Sequence, residues 1–193
     1  GNLTMQREKL VAIQRRLSEI STGSYRNFAE NYDERLQGLG YSTPAAVAQR
    51  FGNLFSEGTR ILELGVGTGL LARNLAKGGS NWRLIGVDIS QEMLDAVPAG
   101  LYEELHLGDV SLDLPLEGSS FDGAVALGVS EYIADVEGWF AAVHRLLRPG
   151  SPWVFTYVPC AGDTVEQIPG STMILKHPPA FIADCLARWS RGG

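Results

Sequence analysis

The segment Arg60–Leu71 reads RILELGVGTGLL and contains the pattern that decides the fold. Its first part, ILEL, is apolar except for Glu63, which is typical of a strand buried on both faces of a parallel sheet. Glycines follow at 65, 67 and 69, and apolar residues then recur at helical spacing through residues 70–76. The segment therefore predicts a strand, a glycine turn and a helix, in which glycine lets the backbone approach a ligand beside the free N–H groups of the helix start.

Two residues of this segment bear on the kind of ligand. Position 70, where a dinucleotide-binding fingerprint has its last glycine, is Leu70. Glu63 places a carboxylate in the strand just before the turn, which suits a cationic or hydroxyl-rich ligand better than a pyrophosphate. The segment therefore points away from phosphate binding.

The composition is that of one folded domain. The chain has 193 residues, of which 45% are hydrophobic and 20% charged, and a net charge of −6; a chain of this length can bury roughly 70% of its unfolded surface. Its 16 basic residues are scattered, so no broad nucleic-acid footprint is expected.

Cys160 and Cys185 have no metal-binding spacing, which favours a reducing cytoplasm and predicts no metal site. No apolar run has the length of a membrane span, so no membrane association is expected.

Further strands follow the first one along the chain. They are predicted at Trp82–Val87, Glu103–Leu107, Phe121–Leu127 and Trp153–Val158. Because parallel strands joined by right-handed crossovers end at the same edge of a sheet, the residues after these strands are expected to lie together. Those residues are Asp88, Asp109 and Gly128. The sequence therefore predicts one ligand crevice at this edge of the sheet.

The two aspartates each have a functional and a structural interpretation. Asp88 ends the second strand, and its two carboxylate oxygens can accept hydrogen bonds from both hydroxyls of a ribose. Its alternative role is to cap the next helix, a role that Ser90 fills more comfortably. Asp109 follows the third strand and could instead be a surface turn residue.

The string ILELGVGTG at residues 61–69 resembles motif I of the class I methyltransferases that use S-adenosylmethionine. Phe121-Asp122 ahead of a buried strand resembles the same family, as does Arg148-Pro149-Gly150, although Ser151 replaces the second glycine of that turn. The segment YDERLQGLGYSTPAAVAQRF at residues 32–51 resembles the Williams–Beuren-region-like subgroup of type 11/25 methyltransferases. The resemblance implies an α/β, Rossmann-like fold with a mostly parallel central sheet and helices on both faces.

The resemblance also implies which residues hold S-adenosylmethionine, the expected co-substrate. Asp109 is expected at the adenine amino group, with the backbone N–H of Val110 at the ring. Tyr32 lies in a predicted aromatic helix that would cover the cofactor, although core packing is the alternative for that helix. Met93 is expected near the same pocket, mainly as a packing residue. The complete set of predicted cofactor-binding residues is Tyr32, Glu63, Gly65, Gly67, Gly69, Asp88, Ile89, Met93, Asp109, Val110, Leu127 and Gly128.

The N-terminal region is predicted to be helical. Apolar side chains recur every three or four residues through 4–20, which predicts an amphipathic helix that packs over the sheet or forms part of a homodimer contact. A cluster of helix breakers at 21–24 is expected to end that helix, and a later helix is predicted at Ala45–Phe55. We therefore expect N-terminal helices that form a lid or cap at residues 1–57.

The predicted S-adenosylmethionine-binding core occupies residues 58–193. Its last element is a helix at about Pro179–Trp189. In the resembling family two more strands follow that helix, one of them antiparallel, and the sequence has no residues for them. The C-terminal strands are therefore expected to be missing from this core.

The reaction that the resemblance implies is in-line transfer of a methyl group from sulfur to a small-molecule acceptor, which the protein mainly aligns. Glu131, Tyr132 and His177 are candidate bases, but no spacing selects one, so the catalytic residue stays open; His144 is interpreted as structural. One alternative is an NAD(P)-binding oxidoreductase, because Asp88 suits the ribose of NAD equally well. The other is a non-catalytic subunit that binds S-adenosylmethionine and serves a partner.

Overall fold

The protein is built around a five-stranded parallel sheet with the strand order β3-β2-β1-β4-β5. The computed structural model describes residues 2–25, 42–79, 81–162, 165–167 and 175–191. The strands of the sheet are β1 (Arg60–Leu64), β2 (Arg83–Asp88), β3 (Glu104–Leu107), β4 (Gly123–Ala126) and β5 (Trp153–Phe155). The helices are α1 (Asn2–Tyr25), α2 (Thr43–Leu54), α3 (Leu70–Lys77), α4 (Gln91–Asp95), α5 (Val136–Leu146) and α6 (Pro179–Arg191), with a 3-10 turn at Ser130–Tyr132.

β1 occupies the centre of the sheet because its side chains are buried on both faces. It pairs in parallel with β2, where Leu64 lies opposite Val87, and with β4, where Leu64 lies opposite Ala126. Leu62 and Leu64 belong to one hydrophobic cluster and Ile61 to the other. The predicted strand, glycine turn and helix of this segment are therefore confirmed.

Helices α2 and α3 cover the face that contains Ile61. The ring of Phe51 on α2 lies 4.7 Å from that of Phe55 and 4.8 Å from that of Trp82. Leu71 and Leu75 of α3 are buried in the same cluster. Residues 51 and 55, which the predicted boundary at residue 57 assigns to the cap, thus share one hydrophobic cluster with β1.

Helices α5 and α6 cover the opposite face. Trp139 and Phe140 of α5 pack edge-on against Trp153 of β5, with ring centroids 5.0 and 4.7 Å away. Ile182 and Cys185 of α6 are buried in this cluster. Helices therefore lie on both faces of the parallel sheet, as the Rossmann-like prediction requires.

The predicted end of the first helix at residues 21–24 is wrong, because α1 continues to Tyr25. Serine and threonine are only slightly less favourable than other residues within a helix, and one glycine costs about 1 kcal/mol. A helix of this length can absorb that cost. Tyr32 and the rest of the predicted aromatic helix fall at residues 26–41, outside the described residues.

The chain after β5 differs from the prediction as well. The strand predicted to reach Val158 ends at Phe155. A small antiparallel pair follows, made of β6 (Glu166–Gln167) and β7 (Leu175–Lys176), and a bridge joins Pro159 to His177. Two-residue strands carry too little alternation for a sequence pattern to show them.

Among the described residues, no helix is both long and apolar enough to cross a membrane.

Candidate functional site

The glycine turn after β1 lies against the loop after β4. Gly65 has a φ of +76°, and a Cβ atom added to it would lie 2.5 Å from Cγ2 of Val129. That distance is shorter than any Cβ contact a folded chain tolerates without a shift. Gly65 therefore meets two requirements, the left-handed backbone and the close approach of two loops.

Asp88 joins the end of β2 to this turn. Its Oδ2 accepts a hydrogen bond from the Gly67 N–H at 2.8 Å, and its Oδ1 accepts one from the Ser90 N–H at 2.9 Å. The residue is 7% exposed, and burial raises the pKa of its carboxyl against the opposing effect of these backbone hydrogen bonds. Because a carboxylate offers about four acceptor positions, Asp88 can hold the turn and still accept hydrogen bonds from a ligand.

The predicted capping role belongs to Ser90 and not to Asp88. The Ser90 hydroxyl oxygen accepts a hydrogen bond from the Met93 N–H at 3.3 Å, at the start of α4. Asp88 is consequently not needed as the cap of this helix.

Asp109 lies in the loop after β3 and turns that loop back on itself. Its Oδ1 accepts hydrogen bonds from the Ser111 N–H at 3.0 Å and from the Ser111 hydroxyl at 2.6 Å. Within the described part of the chain, both hydrogen bonds to this carboxylate fall on Oδ1. Oδ2 is therefore available to accept a hydrogen bond from an amino group.

The loop after β4 forms hydrogen bonds with two segments that are distant in sequence. The Gly128 N–H donates to Oγ1 of Thr156 at 2.9 Å, and the Ser130 hydroxyl donates to the Thr156 carbonyl at 2.7 Å. His177 is 1% exposed, and its Nε2–H donates to the Ser130 carbonyl at 2.7 Å. These contacts hold the loop beside the glycine turn.

These loops enclose two adjoining cavities at the carboxyl edge of the sheet. The inner cavity has a volume of about 80 Å³ and the outer one about 340 Å³. Most of the predicted cofactor-binding residues line the inner cavity, namely Gly65, Gly67, Asp88, Ile89, Met93, Asp109, Val110, Leu127 and Gly128. The residues that line both cavities are Gln14, Ser18, Ile89, Asp109 and Ser111.

Two predicted residues do not line this inner cavity. Gly69 precedes α3 with a φ of +86°, and its Cα faces Val97 and Tyr102. Glu63 is 3% exposed and accepts a hydrogen bond from the Tyr102 hydroxyl. Burial raises the pKa of the Glu63 carboxyl to about 8, against the opposing effect of that hydrogen bond. Glu63 therefore braces the base of the turn, whereas Asp88 and Asp109 face the cavity.

Residues of α1 that the sequence did not single out also line the cavities. Gln14 is 4% exposed and, with Ser18, lines both cavities. An exposed polar face and a roof over a cavity have the same sequence pattern in an amphipathic helix. The sequence signal for this role is that Gln14 is a polar residue within the apolar stripe of the helix. That signal does not indicate which residues Gln14 would contact.

The three candidate bases are in different environments. Tyr132 lines the inner cavity. Glu131 lies outside this lining, and burial raises the pKa of its carboxyl. Burial lowers the pKa of His177, whose Nε2 is held by the Ser130 carbonyl. Of the three, only Tyr132 is in contact with the described cavity.

The cavity fits an adenosyl cofactor in its chemistry. The lining combines a glycine turn that permits close backbone approach, two carboxylates with remaining acceptor positions, and apolar walls from Ile89, Met93 and Val110. Such walls suit the faces of a purine, and the carboxylates suit hydroxyl and amino groups. Two carboxylates would repel the diphosphate of a dinucleotide.

Comparison with known proteins agrees with this chemistry. Residues 62–155 match the family described as a methyltransferase domain. The 18S rRNA (guanine-N(7))-methyltransferase of Arabidopsis thaliana is 30% identical over 129 residues, which cover 61% of this chain and 42% of that protein. The O-methyltransferase cnsE of Penicillium expansum is 30% identical over 144 residues, or 68% of this chain and 50% of that protein. The chain thus spans about half the length of the curated relatives it matches.

A solved structure shows the same fold. The crystal structure of a Methanococcus maripaludis protein classed as an S-adenosyl-L-methionine-dependent methyltransferase superposes with a TM-score of 0.57 and 26% identity, covering 66% of this chain and 61% of that one. The family match, the strand order and the cavity at the strand ends all agree. Residues 62–155 therefore form a methyltransferase domain of class I, the class that uses S-adenosylmethionine.

Proposed function

We propose that the protein is an S-adenosylmethionine-dependent methyltransferase that acts on a small-molecule acceptor by in-line methyl transfer. The observation that carries this proposal is the convergence of the residues after β1, β2, β3 and β4 on one cavity. Glycine, aspartate and apolar residues from these loops provide the surfaces that an adenosyl sulfonium needs.

Each loop has a separate task in this proposal. Asp88 accepts hydrogen bonds from the ribose hydroxyls, and Oδ2 of Asp109 accepts one from the adenine amino group. The turn at Gly65 and Gly67 brings backbone close to the amino acid portion, and S-adenosylmethionine supplies an electrophilic methyl group on its sulfonium. The protein therefore contributes binding and alignment, which are effective because the donor is already activated.

The acceptor is expected to enter beside Gly128 and Tyr132, where the inner cavity is bounded by the loop after β4. If the accepting atom is a hydroxyl oxygen, the Tyr132 hydroxyl is the candidate base whose residue lines the cavity. A nucleophile that needs no deprotonation requires only alignment with the methyl group. Holding the acceptor in line is thus the main role of this wall.

A small-molecule acceptor is supported by the charge around the site. The described lining of the inner cavity includes Asp88 and Asp109 but no lysine or arginine, and the net charge of the chain is −6. A polyanion would meet repulsion at this opening. The relatives include an rRNA methyltransferase and an O-methyltransferase. An experiment must therefore distinguish an RNA acceptor from a small-molecule acceptor.

The first experiment tests cofactor identity. Isothermal titration should show binding of S-adenosylmethionine and S-adenosylhomocysteine and no binding of NADH. Binding of NADH without any response to S-adenosylmethionine would establish the oxidoreductase alternative and end the proposal.

The second experiment tests the reaction. Formation of S-adenosylhomocysteine is measured against a panel of phenols, amines and carboxylates, and in parallel against an 18S rRNA transcript. We expect turnover with a member of the panel. Turnover with the transcript alone would overturn the small-molecule assignment, and binding without turnover on either set would favour the non-catalytic subunit.

A cytoplasmic location and a homodimer contact through α1 stay predictions. Cys185 is a buried thiol without a disulfide, which fits a reducing compartment. Val11 and Ile13 of α1 are 41% and 49% exposed. Sedimentation velocity of the chain checks the homodimer directly.

A further inference from the structure

Within the described part of α1, the Gln14 side chain forms two hydrogen bonds to the loop after β4. Nε2 of Gln14 donates to the Tyr132 carbonyl at 2.9 Å, and Oε1 of Gln14 accepts a hydrogen bond from the Ala134 N–H at 2.7 Å. The two partners belong to the loop that follows β4, more than a hundred residues away. One side chain thus satisfies a backbone acceptor and a backbone donor in the same loop.

Few other side chains are buried in the part of α1 whose side chains are described. Over residues 8–19, whose side chains are described, only Gln14 and Leu17 are buried, at 4% and 6% exposure. The apolar side chains Val11 and Ile13 are largely exposed. Over this range Gln14 and Leu17 are therefore the buried side chains of α1, with Leu10 and Ser18 half-buried beside them.

The loop that Gln14 holds is also a wall of the inner cavity. Val129, Tyr132 and Ile133 line that cavity on the side where Gly128 ends the strand. Thr156 and His177 form hydrogen bonds with the start of this loop, at Gly128 and Ser130. Gln14 contacts the far end of the loop, at the Tyr132 carbonyl and the Ala134 N–H.

The size of the cavities places α1 against a bound cofactor. An engineered cavity of about 150 Å³ binds benzene, and an adenosyl cofactor is several times larger than benzene. The inner cavity, at about 80 Å³, is too small to hold such a molecule alone. A bound cofactor must therefore extend toward the outer cavity beneath α1, where Gln14 and Ser18 form part of the lining.

We propose that Gln14 is a positioning residue of the transfer site. By joining α1 to the Tyr132–Ala134 backbone it closes the roof over the cofactor and sets the wall that the acceptor meets. This inference rests on the proposed function, because the cavity is assigned to S-adenosylmethionine there. It adds that the two hydrogen bonds of Gln14 slow the release of the cofactor product.

The test uses two variants that keep the size of the side chain. Gln14→Leu removes both hydrogen bonds. Gln14→Glu keeps the acceptor for the Ala134 N–H, but its carboxylate cannot donate to the Tyr132 carbonyl until it is protonated. Gln49→Leu, on the exposed side of α2, is the matched control.

Dissociation of S-adenosylhomocysteine is measured by stopped-flow displacement at pH 8 and pH 6. Two net hydrogen bonds of about 1 kcal/mol each correspond to dissociation that is tenfold faster or more in Gln14→Leu at both pH values. Gln14→Glu should be similarly fast at pH 8 and return toward the wild-type rate at pH 6. The other charged residues that line these cavities are Arg15, Glu19, Asp88, Asp109 and Asp135. Because Gln14→Leu retains all of them, the change in its dissociation rate between the two pH values measures their contribution.

Hydrogen exchange of the Ala134 amide gives a readout that needs no ligand. In the cofactor-free wild type this amide should exchange slowly, and in Gln14→Leu at least tenfold faster, with unchanged exchange in the core of β1. A folded Gln14→Leu with wild-type exchange at Ala134 and wild-type release of S-adenosylhomocysteine would overturn the inference. If the wild type does not bind S-adenosylhomocysteine at all, the proposed function fails, and the exchange of Ala134 still decides whether Gln14 holds the loop.

Discussion

Asp88 orders a loop and faces a cavity with the same carboxylate. One of its hydrogen bonds is to Gly67 in the glycine turn and the other is to Ser90 before α4. Because the carboxylate is buried, a further hydrogen bond to it is stronger than the same bond in water. An alanine at this position loses both functions. The aspartate is therefore the residue whose replacement should affect binding most.

We expect Asp88→Ala to weaken binding of S-adenosylmethionine on the order of a hundredfold, because hydrogen bonds to a charged group contribute roughly 1.5 to 3 kcal/mol each. Isothermal titration measures the change. Asp95→Ala, on the exposed side of α4, is the control and should bind normally. Wild-type affinity in a folded Asp88→Ala variant would remove Asp88 from the site.

Gly65 permits a comparison that separates backbone strain from collision. Gly65 and Gly58 have nearly equal φ values of +76° and +78°, but a Cβ at Gly58 meets nothing within 4 Å whereas one at Gly65 meets Val129. Gly58→Ala should cost about 1 kcal/mol for its left-handed backbone. Gly65→Ala should cost a further 1 to 3 kcal/mol, roughly, from overpacking.

Urea unfolding measures both free energies. Adding Val129→Ala to Gly65→Ala should recover most of the excess, because it removes the colliding methyl group. Equal costs at the two glycines would show that the close approach of the two loops does not exist in solution.

Glu63 makes the stability of the protein depend on pH. Burial raises the pKa of its carboxyl to about 8 from 4.5 in the unfolded chain, so the folded state binds more protons between these values. Stability should therefore fall as pH rises through this window, by at most about 1.4 kcal/mol per pH unit. Glu63→Gln cannot ionise and still accepts the Tyr102 hydrogen bond, so it should lose less stability with rising pH.

Urea unfolding at pH 5, 7 and 9 compares the two proteins, with the exposed Glu117→Gln as the control. The pH slope of Glu117→Gln should match the wild type. If the slope of Glu63→Gln also matches the wild type, the buried carboxyl is not protonated at neutral pH.

At the scale of single residues, position along the chain is informative and side-chain partners are not. Asp88 and Asp109 could be placed at the cavity because Asp88 ends β2 and Asp109 lies two residues after the end of β3. The partner of Glu63 is Tyr102, which lies 39 residues away in a loop. No local pattern relates these two residues, so the sequence could not show that the carboxyl faces Tyr102.

At the scale of elements, the loop after β4 depends on segments that meet only in the folded chain. His177 precedes α6 and donates to the Ser130 carbonyl while fully buried. Burial lowers the pKa of this imidazole, so the unfolded chain binds more protons than the folded one at acidic pH. The contribution of His177 is thus present above its ordinary pKa of about 6.5 and lost as pH falls.

We expect His177→Gln to reduce the loss of melting temperature between pH 7.5 and pH 5.5, because glutamine can donate to the same carbonyl and does not titrate. Differential scanning calorimetry at the two pH values measures the effect. His106→Gln, at a partly exposed histidine on β3, should behave as the wild type. Equal losses in wild type and His177→Gln would contradict the assigned burial.

Elements with strong periodicity were predictable, and those held by tertiary contacts were not. The apolar run in β1 and the helical spacing at the start of α3 follow from burial in a sheet and on one face of a helix. The extent of α1 was misjudged because weak breakers do not stop a long helix. The pair β6 and β7 is too short to leave a pattern.

At the scale of the whole molecule, the site is a meeting point of four strand ends and one N-terminal helix. The strand order β3-β2-β1-β4-β5 brings the acids after β2 and β3 and the glycines after β1 and β4 to one edge. This convergence follows from parallel connections and could be derived from the sequence. The position of α1 over the cavities could not be derived from the sequence, because an amphipathic pattern does not identify the surface against which the helix packs.

The most direct test of the central claim is a crystal structure of the chain with S-adenosylhomocysteine. We expect the ribose hydroxyls within hydrogen-bond distance of the Asp88 carboxylate, the adenine amino group within hydrogen-bond distance of the Asp109 carboxylate, and the sulfur beside Gly128. A complex in which the ligand lies elsewhere, with Asp88 and Asp109 free of it, would contradict the account.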